Sequence, residues 1–472
     1  MFNTNSIKEK ILRGGVSMTL KQLLIVVLSL VNVLVIARLL GPGLYGIVTI
    51  VLSIFYFLKQ VCRFGLQVYL VRQPNLTEDE PSHILAFYNF LGIVLCVALW
   101  CAAPVIGWWT KEKEVTLALQ AISPALWMYM ISLVPTSMLE RELSFDKVGL
   151  LEGVSRVVLY VSAIPLVLIG WGYWGPIVGT ILGYSVQALM AYYYYPVPWR
   201  WRWQSQVVKP ALHYGLSYSG SDGILNLKRL RLPLLVSRLG GAEVVGYISI
   251  AIRLAEQLSV LRLVVRRMSI SVMAKLIDKP EQARNAISKG MTYQALLIGP
   301  ICAAFSCSSA WLIPLLFSDE WLISANIFPF IALGLLVGAI FELHASSLYA
   351  MGHNYEIAKR NAWYVGILWG ATLIFLPLMG LWGYGLAEII ALPSFYLIHC
   401  SIAKFFGSPN YWDAFWITLA STISMFAGVF LPPIAAIAVL IVSYGSIFIC
   451  CPSIRKIPLD IWAARPQNKK FS

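Results

Sequence analysis

The stretch "VIARLLGPGLYGIVTI" at residues 35–50 returns two hundred positions later as "LVSRLGGAEVVGYISI" at residues 235–250. In each copy, a turn of small residues separates two apolar segments, and several positions are identical. Identical pairs are Arg38 with Arg238, Gly41 with Gly241, Gly46 with Gly246 and Ile50 with Ile250. The recurrence indicates a duplication within the chain, with a chance match of small residues at two tight turns as the alternative.

The composition is that of an integral membrane protein. Of the 472 residues, 59% are hydrophobic and 12% are charged, and the mean hydropathy is +0.74. A membrane-spanning helix needs about 20 apolar residues, and such stretches follow one another along the whole sequence. We predict an all-α polytopic membrane protein with about fourteen transmembrane helices. The predicted spans are residues 15–39, 44–71, 84–109, 116–137, 148–170, 173–196, 211–239, 243–273, 287–316, 322–350, 356–378, 381–405, 411–430 and 433–451.

A second pair of matching turns precedes the predicted sixth and twelfth helices. The matched positions are Gly172 with Gly380, Trp174 with Trp382 and Gly175 with Gly383. Each repeat then holds six helices, and because six is even, both copies enter the membrane from the same side, with a pseudo-twofold axis along the membrane normal. The predicted segments are an N-lobe at residues 1–203, a C-lobe at residues 204–405, two additional helices at residues 406–451 and a cytoplasmic tail at residues 452–472.

The distribution of basic residues predicts the orientation. With the N terminus in the cytoplasm, twenty-one lysines and arginines, Arg360 among them, fall in inner loops and tails, against Lys111 and Lys113 in outer loops. Cytoplasmic loops carry an excess of Lys and Arg, so both termini are predicted to be cytoplasmic. The segment "YYYYPVPWRWRW" at residues 192–203 is typical of an aromatic and basic anchor among membrane lipid headgroups, and we expect no nucleic-acid partner.

Sequence motifs of common enzymes and metal sites are missing from the chain. It has no GxxxxGK[ST] phosphate loop, no HExxH metal motif and no GxSxG nucleophile elbow. Its eight cysteines form no CxxC pair and are expected to pack inside the protein. We therefore expect no catalytic residues, no metal and no cofactor.

Three segments carry a family resemblance: the "ARLLGPGLYG" turn, the following "RFGLQVYLVRQ" at residues 63–73 and "PTSMLERELSF" at residues 135–145. With the architecture, they make the chain resemble, over nearly its whole length, the bacterial polysaccharide and O-antigen flippases of the multidrug/oligosaccharidyl-lipid/polysaccharide exporter superfamily. The resemblance implies two six-helix lobes around a central cavity that opens alternately to each side. It also implies transport of an undecaprenyl-pyrophosphate-linked oligosaccharide from the cytoplasmic to the outer leaflet of the bacterial inner membrane, with a polysaccharide polymerase as a possible partner.

Cations inside the predicted spans are the main functional signal. Subtracting the twenty-three lysines and arginines assigned to loops and tails from all 36 leaves thirteen, against five clearly intramembrane acids. Each such cation costs roughly 2.5 to 3.5 kcal/mol at the centre of a membrane helix, so the set is expected to face water, partners or an anionic ligand. The candidates for a pyrophosphate site are Lys59, Arg63, Lys228, Arg229, Arg231, Arg253, Arg262 and Arg266.

The seventh predicted helix carries the densest group of these cations. Lys228 and Arg231 are three residues apart and share a face, whereas Arg229 projects about 100° away, on the side of Asp222. Pro233 removes a backbone donor and is expected to bend the helix beside this cluster. One face could therefore bind a ligand while the other forms internal pairs.

Simpler interpretations exist for part of the set. Arg38, Arg238 and Arg266 lie near helix ends, from which long side chains can reach the interface. Arg253 and Glu256 are three residues apart and could pair with each other.

Acidic and aromatic residues give two further sets of candidates. Intramembrane carboxylates can bind H⁺ or Na⁺ to couple transport, with a salt-bridge role as the equal alternative. The coupling candidates are Asp222, Glu256, Glu342 and Glu388. The candidates for stacking against sugars are Trp127, Tyr129, Tyr214 and Tyr218.

Three rival functions remain at this stage. A multidrug exporter of the same superfamily would favour an acidic or neutral cavity for organic cations, which the surplus of buried cations opposes. A membrane glycosyltransferase or O-antigen polymerase would be expected to have a substantial outer loop, whereas the longest one, near "TKEKE" at residues 110–114, has only a few residues. A scaffold without transport activity would gain nothing from buried charge.

Overall fold

The fold is built from helices. The computed structural model describes residues 4–74, 76–260, 262, 265, 269, 272–450 and 453–455, with the side chains of residues 4–27, 214–223 and 450 outside the description. Every regular element in that part of the chain is a helix. The all-α prediction is therefore confirmed.

The helices of the first half extend from Thr4 to Leu258. They are α1 (Thr4–Val61), α2 (Leu66–Arg72), α3 (Glu80–Thr110), α4 (Lys113–Arg141), α5 (Phe145–Leu166), α6 (Trp174–Tyr194), α7 (Ser205–Asn226) and α8 (Ser237–Leu258). Two of them continue in other helix types. These are a π-helical turn at Val167–Trp171 after α5 and, after α7, a 3₁₀ turn at Leu227–Leu230 and a π-helical stretch at Arg231–Val236.

The second half continues in the same way. Its helices are α9 (Pro280–Leu316), α10 (Ile323–Ile340), α11 (Glu342–Ala350), α12 (Asn354–Met379), α13 (Leu381–Ala391), α14 (Tyr396–Phe406), α15 (Trp412–Phe430) and α16 (Pro433–Cys450). The 3₁₀ turns are Asp319–Leu322 before α10 and Leu392–Phe395 between α13 and α14.

Ten helical stretches in the described part of the chain are long and apolar enough to cross a membrane, and Pro433–Ile449 forms a shorter apolar helix. Two of the ten, Leu28–Val61 and Ile224–Leu258, each include parts of two predicted spans. The multi-pass membrane architecture is thereby confirmed. The number of fourteen spans is consistent with these helices and stays a prediction.

The repeated glycines mark kinks at which two helices meet end to end within one long helical stretch. Gly41 (φ 69°, ψ 174°) and Gly241 (φ 79°, ψ 176°) are single non-helical residues inside α1 and α8. The second matched pair, Gly172 (φ 55°, ψ −131°) and Gly380 (φ 58°, ψ −136°), also adopts one shared conformation. Positive φ angles favour glycine. The matched glycines are therefore needed for the backbone conformation of the turns, beyond the general preference of turns for small residues.

The two glycine turns of the first pair also contact each other in a reciprocal way. A Cβ atom added to Gly46 would overlap the carbonyl oxygen of Ala242, and one added to Gly246 would overlap that of Pro42. Ala242 and Pro42 are themselves separated by two hundred positions, as the glycines are. Reciprocal contacts of this kind arise from a twofold relation between two copies of one motif, which supports the duplication.

Contacts divide the chain into a first unit, Met1–Tyr247, and a second unit, Ile248–Ser472. In the first unit, α4 packs against α3 and α6, α5 packs against α6, and α7 contacts α1, α2 and α3. The seventh predicted helix therefore belongs to the first unit by contact. The predicted lobe boundary between residues 203 and 204 concerns the sequence repeat and stays a prediction.

In the second unit, the two appended helices pack on α9 through small residues. The Ser306 hydroxyl donates to the Met425 carbonyl oxygen (2.6 Å), and the Cys307 thiol donates to that of Ala436 (3.3 Å). Gly428 packs directly on the Ser306 backbone. Small residues of this kind allow close helix packing in membranes. The six cysteines whose side chains the structure describes are free thiols.

The reciprocal glycine contact makes a testable prediction about stability. Gly46→Ala places a methyl group against the Ala242 carbonyl and is expected to destabilise the protein by about 1 to 3 kcal/mol, as overpacking does. Gly43→Ala, where a Cβ atom would meet nothing within 4 Å, is the matched control. The apparent thermal midpoint of the two purified variants decides the matter, and equal midpoints would contradict the close contact.

Candidate functional site

A cavity of about 170 Å³ lies within the first unit, between α1, α2, α4, α5 and α6. Its cationic lining residues are Lys59, Arg63 and Arg156, and its acidic ones are Glu140 and Glu152. Tyrosines and neutral polar residues complete most of the wall. They are Tyr56, Tyr129, Tyr184, Gln67, Gln187, Thr136, Ser137 and Ser155. The structure thus brings together two predicted candidates, Lys59 and Arg63, with a third cation that was counted among the buried charges but not selected.

The second predicted span is broken beside this cavity. The helix stops at Val61 and resumes at Leu66, and between them Phe64 (φ 49°) and Gly65 (φ 66°) are left-handed. The Tyr88 hydroxyl donates to the Arg63 carbonyl oxygen (2.5 Å), which satisfies one backbone group released by the break. The expectation of one continuous helix at residues 44–71 is therefore wrong. Irregular backbone at membrane depth is tolerated where it lines a cavity or is buried in protein.

Lys59 is surrounded by aromatic rings. Its ammonium donates a hydrogen bond to the Tyr184 hydroxyl (2.8 Å) and lies 4.4 Å from the centre of the Tyr129 ring. The Tyr184 and Tyr56 ring centres are 4.8 and 5.7 Å away. Cations are attracted to the faces of such rings, so the tyrosines hold the ammonium without neutralising it.

The other two cavity cations have neutral neighbours. Arg63 donates to the side-chain oxygen of Gln67 through Nε (3.0 Å) and through Nη2, and the tyrosines Tyr56, Tyr160 and Tyr184 lie near Arg156. Glu152 lies one turn before Arg156 on α5, and both are exposed. Among the described residues, no ion pair joins Lys59, Arg63 or Arg156 to a carboxylate. Their positive charge is therefore available to a ligand.

The cations of the seventh predicted helix are separated by their burial. Arg231 is only 1% exposed, Lys228 is half-buried and Arg229 is exposed. None of the three lines the cavity, although Arg229 is among the charges that act on the Lys59 ammonium. Pro233 lies in the π-helical stretch that follows the 3₁₀ turn, so the expected distortion is a change of helix type. Arg231 therefore contacts protein and not open space in this conformation.

The candidates of the eighth predicted helix lie in the second unit. Arg253 and Arg262 are half-buried, and a Cβ atom on Gly338 would lie 3.7 Å from an Arg262 guanidinium nitrogen. Arg266 lies outside the described residues, so its role stays a prediction. The pairing of Arg253 with Glu256 also stays a prediction.

Arg360 corrects the assignment of cations to loops. It was counted with the inner loops, but it lies inside α12, is 9% exposed and has its guanidinium carbon 4.8 Å from the centre of the Phe395 ring. Close by, the Tyr364 hydroxyl donates to Glu388 (3.3 Å), a buried coupling candidate. The predicted span at residues 356–378 already includes Arg360, so the sequence itself held the signal for this placement.

The remaining coupling and sugar candidates are dispersed. Glu256 is exposed, Glu342 is half-buried at the start of α11, and the side chain of Asp222 lies outside the description. The Trp127 indole donates to the Asn89 side chain (2.8 Å) and so has a packing role, whereas Tyr129 faces Lys59. The side chains of Tyr214 and Tyr218 lie outside the described set. Among the described residues, no group of three or more His, Cys, Asp and Glu side chains is placed to hold a metal ion.

Accessibility of α5 provides a direct test of the cavity. In a background without native cysteines, Arg156→Cys is expected to react with a hydrophilic thiol reagent in detergent solution, because the position is exposed. Leu151→Cys, a fully buried position on the same helix, is the control and should stay unmodified. Mass spectrometry of the intact protein measures both reactions. Equal labelling of the two variants would contradict the open cavity.

Comparisons with solved structures identify the fold. The structure resembles that of the lipid II flippase MurJ in an inward closed conformation, with a TM-score of 0.68 at 13% sequence identity, covering 92% of this chain and 99% of that one. It also resembles an inward-facing multidrug resistance transporter of the MATE family, with a TM-score of 0.59 at 16% identity, covering 80% and 94% of the two chains. At these identities the similarity establishes the fold.

Comparisons with sequences place the family. The lipopolysaccharide biosynthesis protein WzxC of Escherichia coli is 23% identical over 352 residues, which are 71% of this chain and 68% of that protein. The succinoglycan biosynthesis transport protein ExoT of Rhizobium meliloti is 23% identical over 297 residues, or 62% and 60% of the two chains. Residues 35–326 match the family described as "Polysaccharide biosynthesis protein", and because they make up more than half of the chain, the protein belongs to that family.

Proposed function

We propose that this protein is a flippase that moves an undecaprenyl-pyrophosphate-linked oligosaccharide from the cytoplasmic to the outer leaflet by alternating access. Its family concerns polysaccharide biosynthesis, one relative is named as a transport protein, and its fold is shared with a lipid II flippase. On this proposal it is a transporter and not an enzyme. It supplies the repeat units from which a surface polysaccharide is assembled.

The observation that most supports this function is the group of three cations around one cavity at membrane depth. Three such charges without carboxylate partners represent an unfavourable arrangement unless an anion completes it, since each costs roughly 2.5 to 3.5 kcal/mol at membrane depth. A pyrophosphate supplies the missing charge, and its oxygens match the forked donors of Arg63 and Arg156. We therefore assign the headgroup to Lys59, Arg63 and Arg156, with Arg229 nearby.

The rival transport function is less compatible with this cavity. The MATE-like fold fits a multidrug exporter as well as a flippase, so the fold does not separate the two. The lining of the cavity separates the two functions, because three cations and only two carboxyl groups would repel an organic cation. The flippase function is favoured for that reason.

An integral-membrane polymerase or glycosyltransferase would need a long outer loop to carry its catalytic residues, and the structure does not support one between α3 and α4. In the predicted orientation, only Lys111 and Glu112 separate α3 from α4. Two residues leave no room for the catalytic loop expected of such an enzyme. A polymerase is instead a possible partner, as the enzyme class that consumes the translocated repeat unit.

Localisation and energy coupling complete the proposal. The excess of basic residues on one side supports a bacterial inner-membrane protein with both termini in the cytoplasm. Glu388, buried and hydrogen-bonded to Tyr364, is the coupling candidate for H⁺ or Na⁺ that we favour, because it is the buried one of the three candidates whose side chains are described.

The cavity cations provide the experiment. Lys59→Met combined with Arg156→Gln is expected to abolish surface polysaccharide in a strain that lacks the native gene, while protein abundance in the membrane is unchanged. Purified protein should bind undecaprenyl diphosphate at least about 100-fold more weakly, because two charge-assisted interactions are lost.

The control removes the same charges from exposed positions of the same unit. Lys209→Met combined with Arg202→Gln should leave both polysaccharide and affinity at the level of the unmodified protein. Normal polysaccharide from the Lys59 and Arg156 double variant would refute the assigned headgroup site.

A further inference from the structure

The Tyr184 side chain occupies a fixed position between α5 and the cavity. It is 8% exposed, and its ring packs against those of Phe55 and Tyr129, with centroids 5.3 and 5.6 Å away. The preceding residue, Gly183, lies so close to α5 that a Cβ atom would be 2.9 Å from the Ser155 carbonyl oxygen. The close approach of the two helices fixes where the Tyr184 hydroxyl can reach.

That hydroxyl lies among the cavity cations. It accepts the hydrogen bond from the Lys59 ammonium at 2.8 Å, and it is one of the groups that act electrostatically on Arg156. The phenol oxygen therefore presents its negative end to the Lys59 ammonium, with the Arg156 guanidinium in the same cavity. This arrangement keeps the cations in place and leaves their net charge intact, unlike an ion pair with a carboxylate.

The hydrogen of the same hydroxyl has no acceptor within the described part of the protein. A tyrosine hydroxyl can donate one hydrogen bond in addition to those that it accepts. Lys59 can only donate, so it uses the oxygen and not the hydrogen of Tyr184. No other hydrogen bond of Tyr184 is formed among the described residues. Tyr184 is one of the residues that line the cavity, so a ligand there can accept the hydrogen of its hydroxyl.

We propose that Tyr184 contacts the pyrophosphate headgroup directly, donating its hydroxyl hydrogen to a phosphate oxygen, while its ring and that of Tyr129 position the Lys59 ammonium for the same headgroup. This inference rests on the proposed function, because it assigns a further residue to the same site. Tyr184 recognises the anion without adding a charge. Lys59, Arg156 and Tyr184 then surround one phosphate group from α1, α5 and α6.

Tyr184→Phe tests the hydroxyl contact, because the ring that packs against Phe55 and Tyr129 remains. Affinity for undecaprenyl diphosphate in detergent should fall about tenfold, the effect of one hydrogen bond to a charged group. Binding of the uncharged undecaprenol should not change.

The matched control is Tyr444→Phe in the second unit, which removes a phenol hydroxyl that bonds Ser421 (2.7 Å) far from the cavity in sequence. It should leave the affinity unchanged. Unchanged affinity in Tyr184→Phe, or a lowered thermal midpoint without weaker binding, would overturn the contact and assign the hydroxyl to packing.

A double-mutant cycle tests the positioning role. Tyr184→Leu removes the ring as well and should weaken binding further than Tyr184→Phe when Lys59 is present. With Lys59→Met, the two Tyr184 variants should bind equally, because no ammonium remains to be positioned. A difference that persists without Lys59 would refute positioning.

The same measurements separate this inference from the proposed function. If Lys59→Met alone binds undecaprenyl diphosphate as the unmodified protein does, the headgroup site itself is wrong. If Lys59→Met weakens binding and Tyr184→Phe does not, the site stands and the Tyr184 contact falls.

Discussion

The cost of holding charge at membrane depth governs this protein. Cations in helices that cross a membrane must find water, partners or a ligand, and the first unit solves the problem without neutralising them. Lys59 lies among tyrosine rings, Arg63 bonds to a glutamine and Arg156 lies near tyrosines. Neutral partners of this kind fix the side chains while the positive charge remains. The cavity, the broken helix beside it and the proposed cargo all follow from that arrangement.

The repeated turns are alike, but the surroundings of the buried charges differ between the two units. The glycine turns at Gly41 and Gly241 share one backbone conformation, so the repeated element is a turn and not a binding residue. In the second unit, Arg360 lies on Phe395, and Glu388 accepts a hydrogen bond from a buried tyrosine. The two repeats are therefore alike where the backbone needs a glycine turn, whereas the surroundings of the buried charges differ from one unit to the other.

The sequence was sufficient for features that depend on composition and local conformation. Apolar length identified the helices, and recurring glycines located the turns. It was insufficient for features that depend on neighbours: Arg231 and Arg63 are the same residue type, yet one is buried in protein and the other lines a cavity. The break at Phe64 was equally invisible, because a left-handed phenylalanine depends on its surroundings and not on its own preference. Which face of a helix meets the cavity is decided by packing against other helices, and a single sequence does not show that packing.

A transporter must also release its cargo, and the tyrosine surroundings of Lys59 suit that requirement. If the ammonium were paired with a carboxylate, an arriving anion would have to displace that partner, and a strong buried pair would resist the exchange. If it were bare, a departing anion would leave an unsatisfied charge, which would hold the cargo in place. Aromatic rings and a phenol oxygen stabilise the ammonium to an intermediate degree, with or without the anion. Binding and release are then separated by a smaller difference in free energy, as repeated turnover requires.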